Sequence, residues 1–107
     1  MTSKDKNIKL AENLGIKPEK YFRKTVWIYG GSMHPKPPDY YNDLNAIHIA
    51  TQSLGERDGD EYTRYWNILR SLTGSALDAT EADSKTRCDA LGLVKGLWTQ
   101  HDFTFNE

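Results

Sequence analysis

The sequence has a single cysteine, Cys88, which excludes an internal disulfide, and no Cys and His residues share the spacing of a structural zinc site. It has no run of about 18 apolar residues, which argues against a membrane-spanning helix. Its first residues lack the apolar stretch of a secretion signal, so we expect a cytoplasmic protein with no membrane partner. With neither a disulfide nor a structural zinc site, the fold must be stabilised by packing alone.

The sequence also has no large excess of positive or negative charge, because 14 Lys and Arg residues nearly balance 15 Asp and Glu residues and the net charge is −1. A protein with this balance has no bulk attraction for a nucleic-acid duplex, so we expect no such partner. The length of 107 residues fits one domain, residues 1–107. We expect residues 1–6 to fray, residues 30–41 to form a Pro- and Gly-rich loop, and residues 99–107 to form a tail that can add a short strand.

The charge is nevertheless uneven along the chain. Residues 1–24 hold seven basic and three acidic groups, a local balance of +4, so the remainder carries −5. This asymmetry can steer an anionic ligand to one end of the molecule, although lysines on a solvated helix face are the simpler explanation. Aromatic residues make up 11% of the chain and several have polar neighbours, which predicts that some line a surface or groove.

The first forty residues predict two short helical segments, a strand and a loop. Apolar residues at near-helical spacing indicate a helix over residues 5–14. Pro18 suits the first turn of a second, short helical segment, because a helix start does not use its missing N–H. The β-branched and aromatic run 25–29 is typical of a buried strand, and residues 30–41, with three of the four prolines, predict irregular structure.

Two helices are predicted in the middle of the chain. Asn42 can cap the first, in which apolar residues recur at steps of three and four, and we expect His48 to be buried there with a backbone hydrogen bond. In the second, Tyr62, Tyr65 and Trp66 form a stripe that favours core packing over an interface.

A last helix is predicted to begin at Thr80, with Asp83 completing a capping-box pair. Cys88 lies inside it, where small-volume packing is the expected role. Gly92 and Gly96 are four residues apart, which indicates either the close approach of another backbone or an early end to the helix. The elements together predict the α+β class.

Two stretches of the sequence carry a resemblance to a known family. They are Pro-Asp-Tyr-Tyr-Asn-Asp-Leu-Asn-Ala-Ile-His at 38–48 and the closing helix, with Ala-Thr-Glu-Ala at 79–82, Arg-Cys-Asp-Ala-Leu at 87–91 and Gly-Leu-Trp at 96–98. They resemble the phage ABA-sandwich domain family, small proteins of phages and prophages, over roughly residues 8–98. Ile49 replaces an acidic residue frequent in that family, and Phe103-Thr104-Phe105 extends beyond its usual end.

The resemblance implies a fold and a biological context. It implies a small α/β/α sandwich-like domain, with a short sheet and three to four helices, in a phage or prophage protein within a bacterial host cell. The family has no assigned reaction, so the resemblance implies no catalytic residues.

The strand end, the glycine turn and the loop bring aromatic rings together with cations. Such a mixture suits stacking on a base or gripping the surface of another protein. Arg64 lies away from the apolar stripe of its helix and can meet acidic groups on a partner. The candidate binding residues are therefore Trp27, Tyr29, Ser32, His34, Lys36, Tyr40, Tyr41 and Arg64.

No catalytic set is visible in the sequence. The three histidines, His34, His48 and His101, have no convincing acid–base partner nearby in the chain. The stretch 58–61 lacks the alternating oxygen ligands of a calcium loop. We therefore expect no enzyme activity, no metal and no cofactor.

Three functions are compatible with these features. The preferred hypothesis is a binding protein that inhibits a host defence component, such as a CRISPR effector, by direct contact with that host protein. The alternative is a sponge that sequesters a nucleotide immune signal with the aromatic loop and nearby cations. The third is a small hydrolase, which the missing catalytic set disfavours. A homodimer is also plausible, because the apolar tail 103–105 can pair with a second subunit.

Overall fold

The computed structural model describes residues 2–55 and 59–99. Within these ranges it contains a three-stranded antiparallel sheet and five α-helices, which confirms the α+β class. The strands are β1 (Pro18–Tyr21), β2 (Lys24–Tyr29) and β3 (Ser32–His34), in that order across the sheet, and the helices are α1 (Ser3–Asn13), α2 (Leu44–Thr51), α3 (Asp60–Thr73), α4 (Ala76–Thr80) and α5 (Ser84–Val94). The sequence predicts three to four helices, and α4 is the additional one. Ser75 caps it, because the Ser75 hydroxyl accepts a hydrogen bond from the Asp78 amide at 3.0 Å.

Helix α1 confirms the first predicted helix and begins earlier than its apolar pattern. The Thr2 hydroxyl accepts a hydrogen bond from the Asp5 amide (3.2 Å), and the Asp5 carboxylate accepts one from the Thr2 amide (3.3 Å). This capping box holds the pKa of the Asp5 carboxyl below its usual range. Residues 3–6, which the sequence predicts to fray, are therefore the first turn of the helix.

The prediction of a short helix from Pro18 is wrong, because this segment is strand β1. It pairs with β2 from Pro18 opposite Trp27 to Tyr21 opposite Lys24. Proline is tolerated as the first residue of an edge strand, where its missing N–H costs no ladder bond. The same residue type therefore suits both structures, and the pairing with β2 decides between them.

The strand predicted at 25–29 is confirmed as β2, but the prediction of a wholly irregular loop over 30–41 is wrong at its start. Strand β3 follows a turn at Gly30 and Gly31, both with left-handed backbone, and pairs with β2 through Ile28 opposite Met33. This turn lets the chain fold straight back on β2. The three prolines lie after β3 and leave the rest of the segment irregular.

Helix α2 is confirmed, with two corrections. Its cap is Asp43 instead of Asn42, since the Asp43 carboxylate accepts from the Asn45 amide at 2.9 Å. His48 is exposed, so its predicted burial is wrong. Ile47 occupies the core side of α2, and the next residue along a helix points about 100° away from it.

The core lies where α2, α3 and α5 meet, and α1 and β2 add to it. Cys88 is fully buried, as expected, and Tyr65 is buried with Tyr62 and Trp66 packed beside it, which confirms the predicted stripe. In the described sheet, Trp27 is the single buried strand residue. The buried apolar residues are Leu10, Ala11, Trp27, Tyr40, Tyr41, Ile47, Ala50, Leu54, Tyr65, Leu69, Ala79, Cys88, Ala90, Leu91, Val94 and Trp98.

Helix α5 begins after Asp83, whose carboxylate accepts from the Thr86 amide at 2.9 Å, and not at Thr80. Its two glycines serve different purposes. Gly92 packs against the ring of Trp98, so the predicted close approach is to a side chain and not to a backbone. Gly96 has left-handed backbone beyond the helix end at Val94, which confirms the early termination.

The predicted tail strand at 103–105, and the homodimer that depends on it, fall outside the described residues. Strand β2 pairs with β1 on one edge and with β3 on the other. Across residues 2–55 and 59–99, none of the helices combines the length and the apolar character needed to cross a bilayer.

Candidate functional site

A groove of about 570 Å³ opens between α1, β2 and residues 35–42, the proline segment that follows β3. Lys4 and Ile8 contribute to it from α1, Trp27 from β2, and Lys36 and Asp39 from the proline segment. Its volume lies within the range of ordinary small-molecule sites.

Asn7 fixes one side of the groove by joining α1 to the proline segment. Its side-chain amide donates to the Asp39 carboxylate (2.9 Å), and its carbonyl oxygen accepts from the Tyr41 backbone amide (3.0 Å). Asn42 also donates to Asp39, from both its backbone and its side chain. Asn7 is nine-tenths buried, so its bond to Asp39 is partly shielded from water, whereas the bonds from Asn42 are exposed. Together these bonds orient the Asp39 carboxylate.

Lys6, the neighbour of Asn7, secures α1 to the rest of the molecule. It is fully buried, and its ammonium pairs with the Asp89 carboxylate of α5. The same ammonium lies 5.2 Å from the ring centre of Tyr41 and 5.5 Å from that of Trp98, within cation–π range. A buried lysine needs such partners to offset its loss of hydration, and these partners keep α1 in place beside the groove.

Tyr29 and His34 support the segment that carries Lys36. Their rings stack at 3.9 Å between centres with an angle of 13° between planes. The Tyr29 hydroxyl donates to the backbone carbonyl of Lys36 (3.0 Å), and His34 Nε2 lies 3.2 Å from the Tyr29 carbonyl oxygen. Burial raises the pKa of Tyr29, so its phenol keeps the proton it donates. The pair positions Lys36 at the groove.

The predicted binding residues are divided among three places. Trp27 and Lys36 meet in the groove, with Tyr29 and His34 as their supports. Ser32 and Arg64 are exposed and are not part of the groove.

Tyr40 and Tyr41 belong to the core, with 3% and 5% of their surfaces exposed, and offer almost no area to a ligand. Burial raises the pKa of Tyr40 to about 12, so this phenol stays neutral at physiological pH.

A second surface lies on the opposite face of the sheet. Because Trp27 points to the core, Val26 and Ile28 project the other way, and Met33, opposite Ile28, shares their face. Tyr21 lies on this face near the β1–β2 turn. Ile28, Met33 and Tyr21 are 46%, 55% and 53% exposed, so this outer sheet face (Tyr21, Val26, Ile28 and Met33) is an accessible apolar patch.

The turn between β1 and β2 extends this patch. It consists of Phe22 and Arg23, which both have left-handed backbone with φ of 49° and 67°. This is the geometry of a two-residue hairpin turn that Asn and Gly normally occupy. The Phe22 ring is 85% exposed and packs edge-on against Tyr21 at 4.6 Å.

Basic residues lie on both sides of the turn. The strand register divides them between the two faces of the sheet, because Lys20 pairs with Thr25 on the face of Trp27, whereas Lys24 lies on the outer sheet face, as does Glu19 opposite Val26. The segment 17–24 carries four basic residues and a single acidic one, Glu19. All four basic side chains are exposed; they are Lys17, Lys20, Arg23 and Lys24, and we call them the basic rim.

Several residues of these surfaces escape sequence analysis. Lys4 and Asn7 reach the groove only because α1 packs against the proline segment. No pattern in the nearby sequence indicates this packing. Asp39 stands in the recognisable Pro-Pro-Asp-Tyr stretch, but its role depends on Asn7. Phe22 was detectable as an aromatic among basic residues, although the turn around it was not.

Residues 2–55 and 59–99 contain no cluster of three or more His, Cys, Asp or Glu side chains that could hold a metal ion.

Comparisons of the chain with protein-family models, curated proteins and solved structures find no match.

Proposed function

We propose that this chain is a small, non-enzymatic phage or prophage protein that blocks a host defence component, such as a CRISPR effector, by binding to it. The observation that carries the proposal is Phe22, 85% exposed on a left-handed turn. That backbone costs about 1 kcal/mol or more for a residue with a side chain, and the exposed ring returns little to the core. An aromatic held at the tip of a hairpin at such a cost is typical of an anchor for a pocket on a partner.

The outer sheet face and the basic rim define the chemistry of that partner. An apolar centre with a charged margin is the usual composition of a protein interface. Since the margin is basic, the complementary surface on the target is acidic. A second copy of this chain fits poorly, because two such faces would bring their basic rims together.

The same charge argument restricts how a CRISPR effector would be blocked. These effectors hold their nucleic acids in positively charged channels. The basic rim would be repelled from such a channel, so we infer that the protein covers an acidic surface used for conformational change or subunit assembly. The phage context itself rests on the resemblance at residues 38–48 and in the closing helix, residues 79–98.

The direct test is phage infection of bacteria with active CRISPR immunity. The wild-type protein and two variants, Phe22→Ala and Leu77→Ala, are expressed in hosts that carry different CRISPR types, and plaque numbers of a targeted phage are compared. Leu77 is the matched control, because it is a similarly exposed apolar residue (71%) on α4, away from the hairpin.

We expect the wild-type protein and Leu77→Ala to restore plaques in at least one host, and Phe22→Ala to lose most of this effect. The proposal fails if the wild-type protein restores plaques on none of the immune hosts. It also fails if Phe22→Ala is as effective as the wild-type protein, since the anchor would then be unused.

A further inference from the structure

We propose that the groove between α1, β2 and the proline segment binds a nucleotide. This site lies apart from the outer sheet face, so the inference goes beyond protein blocking and does not depend on it. It rests on three kinds of group that meet in one groove: a flat apolar wall, a fixed carboxylate and two cations.

The apolar wall suits a planar ring. Trp27 supplies an indole, and Ile8, Pro35 and Pro37 supply aliphatic surface around it. The Trp27 indole is 6% exposed, so it lies beneath this surface and supports it, while Ile8, Pro35 and Pro37 present the area that a ligand would contact. Apolar surface of this kind can cover one face of a planar base.

The carboxylate of Asp39 suits hydrogen-bond donors. Its Oδ1 atom accepts from Asn7 and Asn42, whereas Oδ2 accepts from the Asn42 side chain at 3.2 Å and has capacity for a further donor. The hydroxyl groups of a ribose and the amino group of a base are donors of this kind. A preformed carboxylate therefore selects for the sugar or base portion of a nucleotide.

Lys4 and Lys36 suit the phosphate. Both side chains are exposed, line the groove and come from different elements, so they can contact an anion from two sides. A bare phosphate is a poor ligand here, because the Asp39 carboxylate in the same groove repels it. A molecule with donors at one end and negative charge at the other satisfies both features, and a nucleotide has this arrangement.

The test is calorimetric titration of the full chain with AMP, GMP, cyclic di-GMP and ADP-ribose. Pyrophosphate and adenosine are the control probes, since each represents one half of the ligand. The variants are Lys4→Ala and Lys36→Ala. Lys95→Ala is the matched control, because it removes the same charge at the C-terminal cap of α5 and Lys95 does not line the groove.

We expect at least one nucleotide to bind more tightly than both pyrophosphate and adenosine, and each groove variant to weaken that binding roughly tenfold. Lys95→Ala should bind like the wild-type protein. The inference is overturned if no nucleotide binds, if pyrophosphate binds as tightly as the nucleotides, or if the groove variants match Lys95→Ala. Since the plaque assay depends on Phe22 and this titration on the lysines, the two proposals fail independently.

Discussion

The ring of Trp98 lies directly over the Cα atom of Gly92, so closely that a Cβ atom at position 92 would be 1.9 Å from the ring. The indole N–H of Trp98 also donates to the backbone carbonyl of Asp89 at 3.1 Å. The chain after α5 is thus fixed on the helix by one ring that requires a glycine beneath it.

Gly92→Ala should therefore be strongly destabilising, although alanine is the better helix former. Overpacking of this kind costs about 1–3 kcal/mol or more, which exceeds the gain of about 1 kcal/mol in helix propensity. Urea denaturation of the wild-type protein and of Gly92→Ala measures the difference in their free energies of unfolding. In a Trp98→Ala background the same substitution should cost much less, and equal costs in both backgrounds would contradict the contact.

The buried ion pair predicts an asymmetric response to mutation. Asp89→Ala leaves Lys6 charged and wholly buried, which should cost about 3–5 kcal/mol of unfolding free energy. Lys6→Met should cost less, because the Asp89 side chain is 15% exposed and can turn to water. The double variant Lys6→Met with Asp89→Leu should be more stable than Asp89→Ala alone, and denaturant titration of the three proteins checks this order.

Asp83 predicts an acid-dependent contribution to stability. The Thr86 amide at the start of α5 holds the pKa of the Asp83 carboxyl below its ordinary value of 3.8. Because its folded-state pKa is lowered, this carboxyl contributes stability that is fully present above its ordinary, unfolded pKa of 3.8. That stability is lost as the pH falls through the folded-state pKa. Asp83→Ala should cost about 1 kcal/mol at pH 7, and the difference from wild type should shrink in acid, where the protonated carboxyl keeps only a neutral acceptor.

Asp83→Asn is the matched control for this effect, because asparagine keeps the cap but does not titrate in this range. Its stability relative to the wild-type protein should rise as the pH falls below 3.8. Thermal unfolding from pH 7 to pH 2 measures both variants. A constant gap between the wild-type protein and Asp83→Ala over this range would show that the carboxylate charge is irrelevant.

The hairpin turn predicts a trade between stability and binding. Replacing Phe22 by Asn and Arg23 by Gly supplies the residues that left-handed turns favour, and should raise the unfolding free energy by about 1 kcal/mol or more. The same change removes the proposed anchor, so plaque restoration should be lost. Arg23→Ala, which keeps the strained Phe22, should give no such gain; an unchanged melting temperature in the double variant would contradict the strain.

Much of the helical structure could be predicted from the sequence, because its signals are local. The apolar spacing of α1, α2 and α3 and the left-handed glycines that end helices are properties of neighbouring residues. The first hairpin could not be predicted in this way. Pro18 is acceptable in both a helix start and an edge strand, and Phe22-Arg23 lacks the Gly or Asn that marks a tight turn.

The candidate sites were predictable only in part. Trp27 and Lys36 are close in sequence to the same turn, so their proximity could be inferred. Lys4 and Asp39 meet only because α1 packs against the proline segment, through a bond between residues 32 positions apart. The outward placement of His48 depends on which side of α2 faces the core, and a one-residue error in that choice reverses the expectation.

The Lys6–Asp89 pair joins residues 83 positions apart, and this separation bears on the order of folding. During synthesis α1 leaves the ribosome first, but its buried lysine has no counter-charge until α5 has emerged. Contacts of such long range slow folding, because a large loop must close before they form. We therefore expect the first helix to dock late, after α2, α3 and α5 have assembled, and a chain shortened before Trp98 to lose order at its opposite end.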